Sequence, residues 1–334
     1  MKPSEILALI ESRINAKIVR PILLEGSPGL GKTQIAEQAA ESLKIDFKVI
    51  HAPLLQPEDY GFPVISKDRD NVEFIVSKSK FPVEGSDCPD KGIFLIDELP
   101  QADHSAQKIL ANLLQAREIH GQKLKKDWVI ITTGNRTVDR AGANRLLSHL
   151  GDRLTKINLD VSLDDWTDWA LNHNIKTEVI AFIRFRPELL SSFDPQLEKN
   201  PTPRAWSEGV SAALGAINPK HEFEVFKGDV GEGPAAEFCA FLKVFRKLPN
   251  PDAILLDPKG SEVPSEPATL YALCGALAHK ATGDNFGRIM IYIHRLPPEF
   301  SVLFVRDVMK RKPDIQNTKD FIKWASGPGA KILL

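Results

Sequence analysis

Residues 26–33 form a short glycine-rich segment whose residue types suit the binding of phosphate. It has the pattern G-x-x-x-x-G-K-T and comprises Gly26, Ser27, Pro28, Gly29, Leu30, Gly31, Lys32 and Thr33. Glycines let the backbone curl so that successive N–H groups point at anionic oxygens. A short apolar strand at 22–24 precedes the segment, and a helical pattern from Lys32 to about Leu43 follows it, so a helix amino terminus adds partial positive charge. The pattern therefore predicts a nucleotide-binding loop. Lys32 would reach the β- and γ-phosphates, and Thr33 would hold Mg²⁺.

Two acidic residues follow the apolar run at 93–96. They are Asp97 and Glu98. Two carboxylates at the end of a buried strand avoid a large desolvation cost only if they emerge at the carboxyl edge of the sheet. Open parallel sheets bind their ligands at that edge. We expect Asp97 to hold the water shell of Mg²⁺ next to Thr33, and Glu98 to polarise the attacking water. The alternative is a solvated turn after a strand.

The next predicted strand, at 128–133, also ends in polar residues. Asn135 falls at the same sheet edge, where its amide would hydrogen-bond the γ-phosphate or the attacking water. The alternative is an asparagine that only stabilises a turn. Because two strands end in polar groups, the pattern favours the functional interpretation.

Arginines follow at positions 136, 140, 145 and 153. One of them is a candidate for an arginine that acts on the γ-phosphate, as arginine fingers do. A surface ion pair, for example with Asp139 or Asp152, is the alternative. Arg204 follows Pro203, which fixes the start of a helix. It would either point back toward the nucleotide or remain an exposed arginine of the first turn.

The composition is that of an ordinary soluble globular protein. The chain has 334 residues, of which 43% are hydrophobic and 26% charged, and this length suits roughly two domains. A net charge of −1 gives no overall attraction to nucleic acid or membranes. The three cysteines are widely spaced and odd in number, as in a reducing compartment. There is no apolar run of membrane-spanning length and no apolar core of a signal peptide. We therefore expect a cytoplasmic protein.

Hydrophobic patterns divide the chain into an alternating part and a helical part. A helix is predicted over 4–18 with Ser4 as its cap. Short apolar runs then alternate with helical patterns, which predicts a five-stranded parallel sheet with flanking helices. The predicted strands are 22–25, 47–51, 92–96, 128–133 and 155–159, and the predicted helices between them are 33–43, 103–117 and 143–150.

Beyond residue 160 the patterns predict helices only. The predicted domains are an α/β domain at 1–160, an all-α lid at 161–217 and a helical carboxyl-terminal extension at 218–334. Two stretches lack a helical pattern: 218–235 is glycine-rich and predicted to be irregular, and 249–267 holds five prolines and is predicted to be a loop. The predicted helices are 163–174, 177–185, 205–217, 235–248, 268–281, 284–294, 298–310 and 317–325.

Taken in order, these residues resemble the AAA+ ATPases, and within them the MoxR and dynein-related branch. The matching features are the loop Gly26–Thr33, the run Ile93–Glu98, Asn135 as the first sensor, Arg153 as the arginine finger and Arg204 as the second sensor. Arg145 is the alternative finger. The resemblance covers residues 1–217 well, and beyond them only a general helical tail.

Two further stretches resemble this branch specifically, and a third resembles a subgroup of bacterial and phage ATPases. Residues 53–64 resemble an insertion into the second helix, and residues 117–124 resemble the hairpin before the first sensor, with a tight reversal near His120 and Gly121. Residues 182–190 resemble a bacterial and phage subgroup that is usually encoded near a von Willebrand A-like partner.

The resemblance implies a ring, expected to be a hexamer, that binds ATP and Mg²⁺ between subunits, with Arg153 acting on the neighbour's ATP. The inserted loops would face a pore or a protein client, and Tyr60 and Phe62 are candidates for gripping it. The alternative for these aromatics is packing under a loop.

The first functional hypothesis is an ATP-driven machine that remodels a protein client or partner. A DNA-associated motor or loader and a slow nucleotide-gated scaffold are the alternatives. Lys123, Lys125 and Lys126 beside the hairpin are weak evidence for nucleic acid, because no aromatic platform accompanies them.

Overall fold

The computed structural model describes residues 1–65, 72–136, 146–194, 196–248 and 250–327. The chain forms two compact units. The first holds residues 1–162 and 193–195, and the second holds residues 163–192 and 196–334. Within the described ranges, no helix combines the length and the apolar character needed to cross a bilayer.

The described residues contain strands in the first unit and helices in both. The strands are β1 (Ile22–Glu25), β2 (Asp46–His51), β3 (Phe62–Ile65), β4 (Val72–Ile75), β5 (Lys91–Asp97), β6 (Glu118–Ile119), β7 (Gln122–Lys123), β8 (Asp127–Gly134) and β9 (Thr155–Asn158). The α-helices are α1 (Pro3–Asn15), α2 (Lys32–Leu43), α3 (Pro57–Tyr60), α4 (His104–Ala116), α5 (Ser148–Gly151), α6 (Leu163–Asn172), α7 (Thr177–Phe185), α8 (Ser211–Ala213), α9 (Glu222–Val230), α10 (Glu232–Phe245), α11 (Pro251–Leu256), α12 (Pro267–Lys280), α13 (Phe286–Ile293), α14 (Pro298–Arg311) and α15 (Lys319–Ala325).

Five strands form the predicted parallel sheet in the order β2-β5-β8-β1-β9. Successive side chains of a strand point to opposite faces, so each apolar run fills two cores. Leu23, Phe94 and Ile130 belong to the core that includes α4. Ile22 and Leu24 belong to the core that includes α1 and α2. The fold class predicted from the sequence is confirmed.

The strand register aligns the carboxyl ends of neighbouring strands. His51 pairs with Asp97, the last residues of β2 and β5. Glu25 pairs with Gly134, the last residues of β1 and β8. The segment 26–33 follows β1, and Asn135 follows β8. The polar residues predicted to act on a nucleotide therefore lie at one edge of the sheet.

Two small antiparallel hairpins extend from this unit. In the hairpin of β6 and β7, His120 and Gly121 have φ values of +46° and +77°. A two-residue turn with positive φ at both positions matches the strand twist, as the sequence predicted. The other hairpin pairs β3 with β4. The Phe74 ring stacks on the His120 ring with centroids 4.5 Å apart, so the two hairpins contact each other.

The first helix begins earlier than predicted. Pro3 is its first residue and Lys2 occupies the cap position, so the prediction of Ser4 as the cap was wrong. Proline fits the first helical position because its fixed φ is helical and no N–H is needed there. The Glu5 carboxylate accepts a hydrogen bond from the Lys2 amide at 2.9 Å and satisfies a free backbone donor. The helix pattern predicted at 143–150 is helical at 148–151, and residues 143–145 lie outside the described ranges.

Two stretches of the second unit predicted to lack helix contain one. Helix α9 occupies 222–230 within the stretch predicted to be irregular. Its Phe226 and Val230 are buried in the same core as Phe238 of α10, and this packing outweighs the low helix propensity of glycine. Helix α11 occupies 251–256 within the proline-rich stretch. Pro251 begins the helix instead of breaking it, and the Asn250 side chain caps it through the Asp252 amide.

The helices of the predicted lid and extension share one core. Trp166, Phe182 and Trp206 pack in the same cluster as Phe238 and Ala272. The division of the helical part into a lid at 161–217 and an extension at 218–334 stays a prediction.

Arginines of the 182–190 segment attach α7 to later helices. Both terminal nitrogens of Arg184 donate to the Asp307 carboxylate of α14, at 2.5 and 2.6 Å. The side chains of this pair are only 8% and 2% exposed. Arg186 pairs with Glu188 at 2.5 Å and with Glu237 of α10. The segment therefore joins residues far apart in the sequence.

Helix α14 is also tied to α6. Asp168 accepts hydrogen bonds from Arg306, at 3.0 Å, and from Lys310. Burial opposes ionisation of Asp168, but the hydrogen bonds from Lys310 and Arg306 outweigh it and lower the pKa of this carboxyl. These contacts fix α14 against both α6 and α7.

The buried pair predicts a large loss of stability on removal of one partner. Asp307→Ala leaves the Arg184 guanidinium charged and unpaired, so we expect a loss of about 3–5 kcal/mol in the free energy of unfolding. Urea unfolding followed by circular dichroism measures it. Glu188→Ala removes an exposed partner of Arg186 and is the control, with little expected effect. A similar small effect of both variants would contradict a stabilising role of the buried pair.

Candidate nucleotide-binding site

The glycine-rich segment connects β1 to α2 as a tight loop. Gly29 and Gly31 adopt φ values of +76° and +83°, which side chains with a Cβ rarely tolerate. Helix α2 begins at Lys32, directly after the loop. The free N–H groups of its first turn therefore border the loop, as phosphate recognition requires.

The Lys32 ammonium lies between the loop and the end of β8. Its Nζ donates to the carbonyl oxygens of Gly26 and Ser27, at 2.9 and 3.0 Å. It also donates to Asn135 Oδ1 at 2.9 Å. Two residues that the sequence analysis assigned to the same site, 103 positions apart, are thus in direct contact.

Thr33 and Asp97 meet beside this lysine. The Thr33 hydroxyl lies 3.2 Å from both carboxylate oxygens of Asp97. A hydroxyl and a carboxylate are oxygen ligands of the kind that Mg²⁺ takes, with phosphate oxygens and water completing its shell. The donor set therefore fits the predicted magnesium ion.

Asp97 and Glu98 differ in their surroundings. Asp97 ends β5 and is buried, whereas Glu98 is exposed. Glu98 adopts left-handed backbone angles, with φ +57° and ψ +38°. This conformation costs on the order of 1 kcal/mol for a residue with a Cβ. The turn is held by the Thr133 hydroxyl, which accepts a hydrogen bond from the Glu98 amide at 3.0 Å.

Two contacts of Asp97 were missed by the sequence analysis. His51 Nδ1 lies 3.3 Å from Asp97 Oδ2, and the Thr133 hydroxyl donates to Asp97 Oδ1. His51 ends β2 and Thr133 lies near the end of β8. Their position at the ends of predicted strands was the available signal, but only the register shows that they meet Asp97.

Arg136 contacts the phosphate loop of its own chain. Its guanidinium donates to the Ser27 hydroxyl. From the sequence, Arg136 was only one of four candidate arginines. Arg140 and Arg145 lie outside the described residues.

Arg153 lies at the other edge of the sheet. It precedes β9, whose first residue Thr155 pairs with Ile22 at the start of β1. The phosphate loop follows the end of β1, so a strand length of about 10 Å separates the two edges. Within the described residues the Arg153 side chain makes no ion pair with Asp152; Asp139 lies outside them. The structure does not bring Arg153 to the loop of its own chain.

Arg204 belongs to the second unit. It is exposed and immediately precedes a π-helix at Ala205–Val210. Its Nε lies 3.9 Å from the Glu208 carboxylate, an exposed pair of the kind that contributes little stability. A role as the second sensor stays a prediction.

The two aromatic candidates of the insertion differ. Tyr60 is 1% exposed and its ring lies 6.3 Å from that of Phe81, so the gripping role predicted for Tyr60 is wrong and the packing alternative is correct. Burial, with the nearby Asp103 and Asp59, also raises the pKa of Tyr60. Phe62 is 59% exposed at the start of β3.

The loop, the lysine and the paired threonine and aspartate at the carboxyl edge of a parallel sheet define a P-loop nucleoside triphosphatase. The family described as "ATPase family associated with various cellular activities (AAA)" matches residues 22–157. Residues 22–157 are therefore similar to the ATPase domain of that family, and the protein is a P-loop enzyme that hydrolyses ATP.

Solved structures with a similar chain trace include three bacterial proteins. A Cytophaga hutchinsonii protein is 17% identical over 90% of this chain and 79% of its own, with a TM-score of 0.34. The Thermotoga maritima RuvB Holliday junction branch migration motor is 17% identical over 88% and 86%, with a TM-score of 0.39. Brucella abortus NtrX in complex with ATP is 14% identical over 98% and 68%, with a TM-score of 0.39. These likenesses are too distant to carry a functional argument. No curated protein matches significantly.

The contacts of Lys32 predict that its removal abolishes stabilisation by ATP. A ligand at one hundred times its Kd stabilises the folded state by about 2.7 kcal/mol, which raises Tm. We expect ATP to raise the Tm of the wild type and to leave that of Lys32→Ala unchanged, measured by differential scanning fluorimetry. Lys108→Ala, on the exposed face of α4, is the control and retains the shift. An equal shift in Lys32→Ala would show that ATP binds elsewhere.

Proposed function

We propose that the protein is a MoxR-like AAA+ ATPase that hydrolyses ATP between neighbouring subunits of a ring and uses the cycle to remodel a protein client or partner. The observation that carries the proposal is the convergence of Lys32, Thr33, Asp97 and Asn135 at one sheet edge through direct contacts. These residues come from three separate segments, which supports a single built site.

In this proposal the loop and Lys32 bind the phosphates. When ATP binds, Lys32 Nζ leaves the loop carbonyls and donates hydrogen bonds to phosphate oxygens instead. The backbone amides of the loop and of the first turn of α2 donate to the remaining phosphate oxygens. Thr33 and Asp97 hold Mg²⁺, which supplies neutralisation of phosphate charge when bound. Asn135 fixes the position of Lys32 and lies where it reaches the γ-phosphate or the attacking water.

Glu98 accepts the proton of the attacking water. The water oxygen forms the new bond to the γ-phosphorus while the bond to the β-phosphate oxygen breaks, which yields ADP and phosphate. The exposure of Glu98 beside buried Asp97 supports this separation of roles, because its carboxylate is accessible to water. A proton acceptor placed in this way is typically worth 10²–10⁴-fold in rate.

Arg153 supports the sharing of the site between subunits. It lies at the sheet edge opposite the loop of its own chain, which supports a role at the loop of a neighbouring subunit. An arginine supplied in trans makes hydrolysis depend on assembly. A ring, expected to be a hexamer, is the arrangement that gives every subunit such a neighbour.

The β3–β4 hairpin supports an interaction with a protein. Its apolar side chains are exposed instead of buried, which is uncommon for so many residues on one small element. They are Phe62, Val64, Ile65, Val72, Phe74 and Ile75. The occupant in this proposal is a protein client or the von Willebrand A-like partner.

Lys125, one of the three lysines beside the β6–β7 hairpin, gives no support to the DNA-motor alternative. Lys125 is half-buried, and its ammonium is held by the Cys88 carbonyl and by Asp90, at 3.2 Å. A lysine engaged in this way is not a free phosphate contact.

The proposed role of Glu98 predicts that the variant Glu98→Gln binds ATP but hydrolyses it far more slowly. The amide keeps the size of the side chain but cannot accept the proton, so we expect phosphate release to fall about 100-fold or more. ATP affinity, measured by titration with a fluorescent ATP analogue, remains near that of the wild type. Glu41→Gln, at the far end of α2, is the control. Normal turnover in Glu98→Gln would contradict the role of Glu98.

A site shared between subunits predicts that two inactive variants restore activity when they are mixed in one assembly. Arg153→Ala alone loses about 10³-fold or more in hydrolysis, and Lys32→Ala alone loses nucleotide binding. A mixture regains part of the activity, because an intact loop on one subunit meets an intact arginine on the next. Phosphate release by the mixture measures the rescue. No rescue would contradict a finger at Arg153, and rescue by Arg145→Ala in its place would assign the finger to Arg145.

A further inference from the structure

Thr133 places one hydroxyl between the two acidic residues of the site. It lies in β8, two residues before Asn135, and is 0% exposed. Its Oγ1 accepts a hydrogen bond from the Glu98 amide at 3.0 Å and donates to Asp97 Oδ1. A single side chain thus contacts the carboxylate of Asp97, at the end of β5, and the backbone amide of Glu98, directly after it.

The polarity of this chain of hydrogen bonds follows from the groups themselves. A backbone N–H only donates, and an ionised carboxylate only accepts. A threonine hydroxyl has one proton, so that proton lies toward Asp97 while the lone pair faces Glu98. Each hydrogen bond polarises the other in the same direction. The hydroxyl therefore suits an ionised Asp97 and a fixed Glu98 backbone at the same time.

We propose that Thr133 is a positioning residue for ATP hydrolysis. It fixes the Asp97 carboxylate beside Thr33 and holds Glu98 in its left-handed conformation. Because Thr133 and Asn135 belong to the same strand end, it aligns both acids with Asn135. The inference rests on the proposed roles of Asp97 and Glu98. Thr133 acts through them and touches neither the phosphate loop nor Lys32 through any hydrogen bond of the described residues.

Thr132 offers a matched control in the same strand. It is also 0% exposed, and its hydroxyl donates to the Ile22 carbonyl at 3.1 Å. Replacing it by valine removes a buried hydroxyl and its hydrogen bond, as in Thr133→Val, but leaves both acids untouched. A difference between the two variants therefore separates positioning of the acids from general weakening of β8.

The test compares Thr133→Val, Thr133→Ser and Thr132→Val. For each, kcat, KM for ATP and the Mg²⁺ concentration at half-maximal rate are measured by phosphate release. In Thr133→Val we expect kcat to fall about tenfold or more and the Mg²⁺ midpoint to rise severalfold, as when a partner of a metal ligand is removed. The affinity for a fluorescent ATP analogue without Mg²⁺ stays unchanged. Thr133→Ser restores both values, and Thr132→Val resembles the wild type.

Equal effects of Thr133→Val and Thr132→Val, or an unchanged kcat and Mg²⁺ midpoint in Thr133→Val, would overturn the inference. If valine prevents folding, Thr133→Ala and Thr132→Ala give the same comparison with less volume at each position. Failure of the proposed function is distinct from this result. It shows as hydrolysis that survives Glu98→Gln, whatever the behaviour of the Thr133 variants.

Discussion

The buried carboxylate of Asp97 is the constraint on which the site depends. A carboxylate removed from water must be satisfied by donors, or it becomes costly to keep ionised. Here the hydroxyl donors come from separate elements, Thr33 from α2 and Thr133 from β8, and His51 Nδ1 of β2 lies 3.3 Å from the same carboxylate. These groups reach one carboxylate only because their elements meet at the carboxyl edge of the sheet. The contacts of Asp97 therefore require this register of the strands.

The sequence predicted the sheet, the loop and most of the candidate site because their signals are local. Apolar runs identify buried strands, and the spacing of glycines with Lys32 and Thr33 identifies the loop. The contacts of His51 and Thr133 with Asp97 could not be predicted in this way. They depend on which strands are neighbours and in what register, and the residues are 46 and 36 positions from Asp97 along the chain.

In the helical unit, local residue types predicted the structure less well than they did in the sheet, because packing between distant residues decides it. Glycines around residue 231 and prolines around 251 predicted irregular structure, yet burial of Phe226 and Val230 makes α9 helical. The Arg184–Asp307 pair joins positions 123 residues apart and has no local signature. This pair holds α7 against α14. The 182–190 pattern therefore reflects packing within this unit.

The direction of the strands places Arg136 and Arg153 at opposite edges of the sheet. Asn135 and Arg136, which hydrogen-bond Lys32 and Ser27 of the loop, both follow β8 at the carboxyl edge. Arg153 lies at the amino edge because it precedes β9, and β9 runs parallel to β1. No side-chain rotation moves a residue from one edge of a parallel sheet to the other. In the proposed ring, the topology that keeps Arg153 away from its own loop leaves it available to a neighbouring subunit. The direction of the strands would then separate the loop, which binds the phosphates, from the arginine that acts on the γ-phosphate.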